Sequence, residues 1–249
     1  QETAMRISEQ EKRSTRKRIL MAASEVITEK GFKSASMREI ARRAEVADAT
    51  IYNYFPSKEK LLYGYCENRQ DEVAQELRQI ETFNEYTLQE QLQQLIETEL
   101  ALWKPDREFL AEVFELTFYS PAASLVNLAE TRRRFNRMVD EIISNSVEAG
   151  EIPEQPYQEL MAPLYWDYTT GILAYWLRDD TEGFANTTRL VDQSVEIFAL
   201  VLQTGMVGKA LDLVSFLFRT HLSRTLDAFG DYTRPWIKAK RQFMANHDD

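Results

Sequence analysis

The sequence is short of the residues from which disulfide frameworks and metal sites are built. It holds one cysteine, Cys66, and two histidines, His221 and His247, so an internal disulfide framework and a cysteine-based zinc site are excluded and no metal constellation stands out. Glycine (8) and proline (7) are both scarce in 249 residues, which speaks against hairpin turns and for a mostly helical chain. No apolar run reaches the roughly 18 residues that suggest a membrane span, and the first residues are polar where a signal peptide is apolar. A cytoplasmic location without membrane contact is therefore expected. A Gly-rich phosphate loop, a nucleophile elbow and a His–carboxylate pairing are also missing, so the reading is of a protein that is not an enzyme and needs no cofactor. Strand-period alternation and internal repeats are absent too.

What is present suits a folded helical protein with a polarised charge. Hydrophobic residues make up 44% and aromatics 11%, enough for a sizeable core. The net charge of −10 conceals a division: residues 1–60 carry 13 Lys/Arg against 9 Asp/Glu, whereas residues 61–249 carry a net −14. A basic front end on an acidic body fits a module that meets nucleic acid while the rest is held away from it.

Within that front end, the stretch 36–60, SMREIARRAEVADATIYNYFPSKEK, packs three helix starts and two turns into 25 residues. Ser36 followed by Glu39 predicts a capping box, and Ile40, Ala41 and Ala44 give one short helix its apolar face. After a break at Glu45 and Val46, a second short helix turns Ile51 and Phe55 inward, Pro56 stops it, and Ser57 caps a third helix. Too few apolar residues lie here for a separate core. The helix before it supplies part of the support, through Ile19, Ala23, Val26 and Ile27 up to a Gly31–Phe32 glycine cap. The rest comes from the helix running unbroken from Ser57 to Ile80, about 23 residues and roughly 35 Å.

Two short helices joined by about three residues make a helix-turn-helix, and the second lacks the apolar stripe of a helix that only packs. The pattern formed by Ile40, Ala41, Ala44, Val46, Thr50, Ile51, Tyr52, Tyr54, Phe55, Ser57, Lys58, Glu59 and Leu61 resembles the DNA-binding signature of the TetR (tetracycline-repressor-like) regulators. The resemblance is specific over residues 15–65; beyond it, only the order and length of helices are similar. It implies an all-α fold: an N-terminal three-helix DNA-binding domain over 15–57, preceded at 1–14 by a flexible basic arm or an expression remnant. A larger helical ligand-binding and dimerisation domain would follow over 58–205, and 206–249 would be a two-helix extension. The extension adds helices to the core or enlarges a dimer interface.

The resemblance also places the recognition helix at Ala47–Tyr54. Thr50, Tyr52 and Tyr54 would lie along the phosphates, and Asp48, Ala49 and Asn53 would face the groove, where the Asn53 amide can pair with adenine. Lys58, and on the other side Ser36 and Arg38, would hold phosphates near helix starts. Three departures from the family pattern stand out. Glu45 occupies a turn position where glycine is common, which predicts an unfavourable backbone angle. Ala47 and Asp48 replace a common Ser-Lys pair, so Asp48 either caps the helix or accepts from a cytosine amino group, and is read as a specificity determinant.

The body reads as helix after helix. Thr87 and Glu90 predict a capping box opening a helix that Pro105 ends, Asp106 is placed to cap the next, and Ser120–Pro121 closes that one. A long helix from Ala122 closes at Gly150–Ile152–Pro153, Pro156 suits the start of its successor, and Pro163 would kink or split it. Asn186 or Thr187 opens the helix that ends near Gly205. Single modules make too few base contacts, so a homodimer on a palindromic operator is expected. Its interface is assigned to Leu190, Val191, Val195, Phe198 and Leu202, packed with Gly171. An inducer pocket, if the resemblance extends that far, would be walled by Trp103, Phe114, Phe118, Tyr119, Trp166, Tyr168 and Trp176, and would admit a small molecule of unknown identity. The function implied is a ligand-responsive transcriptional repressor. The alternative is a DNA-bound adaptor on the same fold that works through a protein partner.

Overall fold

The structure is a computed structural model, and it describes residues 8–119, 126–155 and 157–209. Among these residues the secondary structure is helical throughout, with nine α-helices. They are α1 (Glu9–Lys30), α2 (Met37–Arg43), α3 (Asp48–Tyr54), α4 (Lys58–Gln79), α5 (Leu88–Trp103), α6 (Arg107–Tyr119), α7 (Ala129–Glu148), α8 (Gln158–Trp176) and α9 (Ala185–Gln203). Short 3-10 turns at Phe83–Glu85, Lys104–Asp106 and Glu182–Phe184 join or precede them.

Local chemistry explains most of the boundaries. Thr87 and Glu90 form a complete capping box, and Gly31 (φ +77°) and Gly150 (φ +74°) end α1 and α7 in a backbone conformation open to glycine. Behind those glycines Phe32 and Ile152 are buried, as the glycine-cap reading requires. Helix α1 begins earlier than expected. Ser8 and Glu11 make a capping box, so residues 9–14, read as a flexible arm, are the first turns of a 22-residue helix. At Ser36 only half the box forms: the Ser36 Oγ accepts from the Glu39 N–H at 3.2 Å, while the Glu39 carboxylate pairs with Lys30.

Other expectations are corrected by competing partners. The Asp106 carboxylate does not cap α6; it accepts from Ser24 Oγ at 2.5 Å and Tyr65 OH at 2.7 Å, and pairs with Arg69. Pro163 removes one amide donor in the second turn of α8, but the helix runs on through it, held by buried Met161, Ala162 and Tyr165. The Tyr165 hydroxyl donates to the carbonyl of Leu92 at 2.9 Å and ties α8 to α5. Helix α9 opens at Ala185, and the Asp179 carboxylate accepts from the hydroxyl and N–H of Thr181 at 2.6 and 3.1 Å and from the hydroxyl and N–H of Thr187 at 2.6 and 2.8 Å, which together hold that carboxyl well below the usual range. The expectations for Pro156, the Ser120–Pro121 stop and the extension from residue 210 lie outside the described residues.

Buried side chains gather in two clusters. The first joins α1, α2, α3 and the start of α4 through Ile19, Ile27, Ile40, Ile51, Phe55 and Leu61. It also takes in Phe109, Leu110 and Val113 of α6 and Trp176 at the end of α8. Each of these fully buried aliphatics is worth about 1.5–3 kcal/mol by its removal from water, so the helix-turn-helix draws its stability from helices on both sides of it. The second cluster fills the body between α4, α5, α7, α8 and α9, with Val73, Leu92, Phe135, Tyr165 and Val195 near its centre. Helix α4 contributes to both. At its crossing with α3, Gly64 is required by space: a Cβ there would lie 2.6 Å from Phe55 Cε1.

Candidate nucleic-acid interface and buried cavity

The turn between α2 and α3 is built from backbone hydrogen bonds. Ala44 N–H donates to Ile40 O at 2.9 Å, Glu45 N–H to Arg42 O at 3.2 Å and Val46 N–H to Ala41 O at 2.9 Å. This geometry places Glu45 at φ +55°, the left-handed region that an acidic residue enters at some cost. Ala47 then stands at the head of α3 in extended conformation with no side-chain cap.

Of the seven residues of α3 only Ile51 is buried. Ala47, Asp48, Ala49 and Asn53 are exposed, Thr50 is half-buried, and the Tyr52 ring, 52% exposed, is held by nothing that would make it a core residue. Tyr54 differs: it is half-buried and packs on the first cluster. Asp48 neither caps α3 nor stands alone, because its Oδ2 accepts from Arg38 Nε at 2.9 Å, an exposed pair that puts one charge of each sign on the outer face. Lys58 is committed differently. Its Nζ donates to the carbonyls of Phe32, Lys33 and Ala35 and lies 4.5 Å from the centre of the Phe32 ring, so it closes the loop between α1 and α2. That leaves the exposed Lys33 on the same loop, which the sequence reading passed over.

The body holds a cavity of roughly 70 Å³ between α4, α5, α6, α7 and α8. Three of the aromatics expected as pocket walls, Trp103, Phe114 and Trp166, line it. Two others do not: Tyr168 is turned to Ser194, its hydroxyl 2.6 Å from Ser194 Oγ, and Trp176 belongs to the first cluster, against Phe184 and under the Arg107 guanidinium. The side chains of Phe118 and Tyr119 lie outside the described residues.

The sequence reading missed the polar residues of this cavity. Gln70, Glu99, Thr131 and Thr169 line it and are all at least nine-tenths buried. Glu99 Oε1 accepts from Gln70 Nε2 at 2.6 Å and Oε2 from Trp103 Nε1 at 3.0 Å. Burial nevertheless pushes the Glu99 carboxyl up to about 7, since two neutral donors only partly replace lost water. Cys66, also lining the cavity, is pushed up to about 12 by burial and stays a thiol. Each of these polar residues sits where the apolar stripe of its helix runs, as Glu99 does between Leu95 and Trp103, and that misplacement was the available signal.

The residues assigned to dimerisation divide. Val191, Val195 and Leu202 are buried within the chain and Phe198 is half-buried against the second cluster, so they serve the chain's own core. Leu190 is exposed, with Ile197 and Leu200 on the same outward face of α9. On α8, Leu160, Leu164 and Tyr175 are exposed, and Gly171 faces open space. Both sets recur at spacings of three, four or seven residues, which keeps each on one helical face and makes two adjacent apolar stripes.

Comparison with known proteins agrees with this layout. Residues 19–63 match the family described as "Bacterial regulatory proteins, tetR family", and residues 91–217 match "Tetracyclin repressor-like, C-terminal domain". The chain is 30% identical to the HTH-type transcriptional regulator UidR of Escherichia coli, over 66% of this chain and 82% of that one. It is 26% identical to the fatty acid metabolism regulator protein of Bacillus subtilis, over 68% and 87%. The crystal structure of the transcriptional regulator FadR from Bacillus subtilis in complex with stearoyl-CoA superposes with a TM-score of 0.55 at 25% identity, covering 76% of this chain and 98% of that one. Salmonella enterica GusR superposes with a TM-score of 0.58 at 23% identity, a likeness of fold, covering 80% and 98%. With the helix-turn-helix and the helical body both matched, the chain belongs to the TetR family of transcriptional regulators.

Proposed function

We propose that this regulator binds a palindromic operator as a homodimer and leaves it when a small molecule occupies the body cavity. The observation that carries the DNA-binding half is the economy of α3: Ile51 alone is buried, Tyr54 packs beside it, and Asp48, Ala49, Tyr52 and Asn53 are exposed toward where phosphates and base edges would lie. Tyr52 and Asn53 are the outward donors best suited to that task, and Asp48, held by Arg38, is the acidic element that sets base preference. Ser36 is committed to the α2 cap and Lys58 to three carbonyls, so their role is to shape the surface around α3.

Dimerisation is assigned to the exposed stripes of α8 and α9, with Leu164, Gly171 and Tyr175 beside Leu190, Ile197 and Leu200. Two such helices from each subunit make a four-helix packing, and Gly171 lets backbones approach. The ligand half is supported by the cavity beside α4, the helix that also belongs to the DNA module. A ligand there would favour one position of α4 over another and so alter the spacing of the two recognition helices. Selection of duplexes from a random pool, followed by sedimentation of the complex, tests the reading. A palindrome bound by two chains is expected; recovery of no preferred duplex at physiological salt would sink it.

A further inference from the structure

The body cavity carries more information about its ligand than its size. Three buried polar atoms on its walls have no hydrogen-bond partner: Gln70 Oε1, Thr131 Oγ1 and Thr169 Oγ1. Side chains with unmet polar atoms at this depth ordinarily cost stability, and native interiors leave few of them. They come from α4, α7 and α8, three separate helices that meet at one space. Elsewhere on the wall the polar groups are already engaged, Glu99 by its two donors and the Thr117 and Thr170 hydroxyls by the Val113 and Trp166 carbonyls, and Leu110, Val113, Phe135 and Leu173 add apolar surface beside the aromatic rings.

The chemistry of the unmet atoms defines what would satisfy them. An amide oxygen accepts, a threonine hydroxyl both donates and accepts, and none of the three is charged. Glu99, the acid at the cavity, already has each oxygen engaged, by Gln70 and by Trp103. Among the described residues none lining the cavity is cationic. A carboxylate brought here would meet Glu99 without a compensating positive charge. An ammonium donates only, so it offers no acceptor to the threonine hydroxyls, and it would lose its hydration shell beside a single carboxylate already shared between two donors. A hydroxyl can donate to Gln70 while accepting from a threonine, without disturbing Glu99. At roughly 70 Å³ the space is also well below the 300–1,000 Å³ typical of drug-sized ligands.

Building on the ligand-responsive reading above, we propose that the cavity takes a small, neutral, largely apolar molecule bearing a hydroxyl group, with Gln70, Thr131 and Thr169 as its specificity-determining residues. The indole N–H of Trp103, bonded to Glu99 at the cavity wall, supplies a local reporter. Titrating the full chain with butan-1-ol, butylamine and butanoate at neutral pH, and following that indole resonance by NMR, compares the three headgroups on one apolar body. Butan-1-ol is expected to bind at least tenfold tighter than either charged probe. The double variant Thr131→Val/Thr169→Val should lose about tenfold in butan-1-ol affinity and melt higher than the wild type, because it removes unmet hydroxyls; Thr169→Ser should keep the affinity. Tighter binding of butanoate or butylamine, or butan-1-ol affinity unchanged in the double variant, would overturn the hydroxyl class while leaving a ligand cavity in place. If no probe moves the Trp103 signal and the double variant melts lower, the hydroxyls serve the fold alone. That result would remove the ligand arm of the function, whereas operator selection tests the DNA-binding arm separately.

Discussion

Replacing Glu99 by glutamine isolates the cost of one buried acid. The wild-type carboxyl titrates at about 7 in the folded chain, against an ordinary 4.5, so between those values the folded state holds a proton that the unfolded state releases. Stability of the wild type therefore falls as pH rises through this window and levels off above it. At about 1.4 kcal/mol for each pH unit of the gap, the penalty reaches about 3 kcal/mol above neutrality. Glutamine keeps an acceptor oxygen for Trp103 Nε1, presents a compatible amide to Gln70, and cannot ionise. Urea unfolding of wild type and Glu99→Gln, followed by far-ultraviolet circular dichroism at a series of pH values, should show the variant gaining on the wild type by about 3 kcal/mol between pH 4.5 and pH 8. A stability difference that stays flat across that range would refute the argument, whatever its absolute size.

Other consequences are open to direct measurement. Glu45→Gly removes a side chain from a left-handed position, with a partly offsetting gain in unfolded-chain entropy, and should stabilise the protein by up to about 1 kcal/mol in urea unfolding while leaving the preferred operator unchanged. Asp48→Ala frees Arg38 and removes the acid from the recognition face, so duplex selection should return an altered base preference; the same operator would dismiss Asp48 as a specificity determinant. Ile197→Glu, at an outward position of α9, should leave monomer stability within about 0.5 kcal/mol yet weaken self-association at least tenfold in analytical ultracentrifugation. Lys58→Met should accelerate amide exchange across residues 32–35, where its three carbonyl partners lie, and protection unchanged from wild type would contradict the bracing role.

How legible this molecule was in its sequence varies with the range of the interactions concerned. Helix ends governed by neighbours a few residues away, such as Thr87 with Glu90, Ser57 with Lys60 and Gly31 with Phe32, could be read directly. Where a distant group competes for the same atom, local reading failed. Asp106 had every local qualification as a cap and serves Ser24, 82 residues away, instead. Lys58 had the charge and position of a phosphate ligand, but carbonyls more than twenty residues distant reach it first. On α9 the periodicity located one apolar stripe without saying whether the chain covers it itself, and Val191, Val195 and Leu202 of that stripe are interior while Leu190 is exposed. Glu99 and Thr169 escaped the sequence reading, because only the meeting of separate helices shows that they line one cavity.

The joint between α3 and α4 has a mechanical consequence. Gly64 lets the Phe55 ring press against the α4 backbone, and the Lys58 ammonium is fastened to the segment that leads into α2. The first turns of α4 are thus tied to the reading head at two points. A joint of this kind transmits torque and has no slack to absorb it. Under the proposed function, a push delivered to α4 in the body would swing the whole head as one piece, like a key turned by its shank, and the shape of the recognition helix would be preserved.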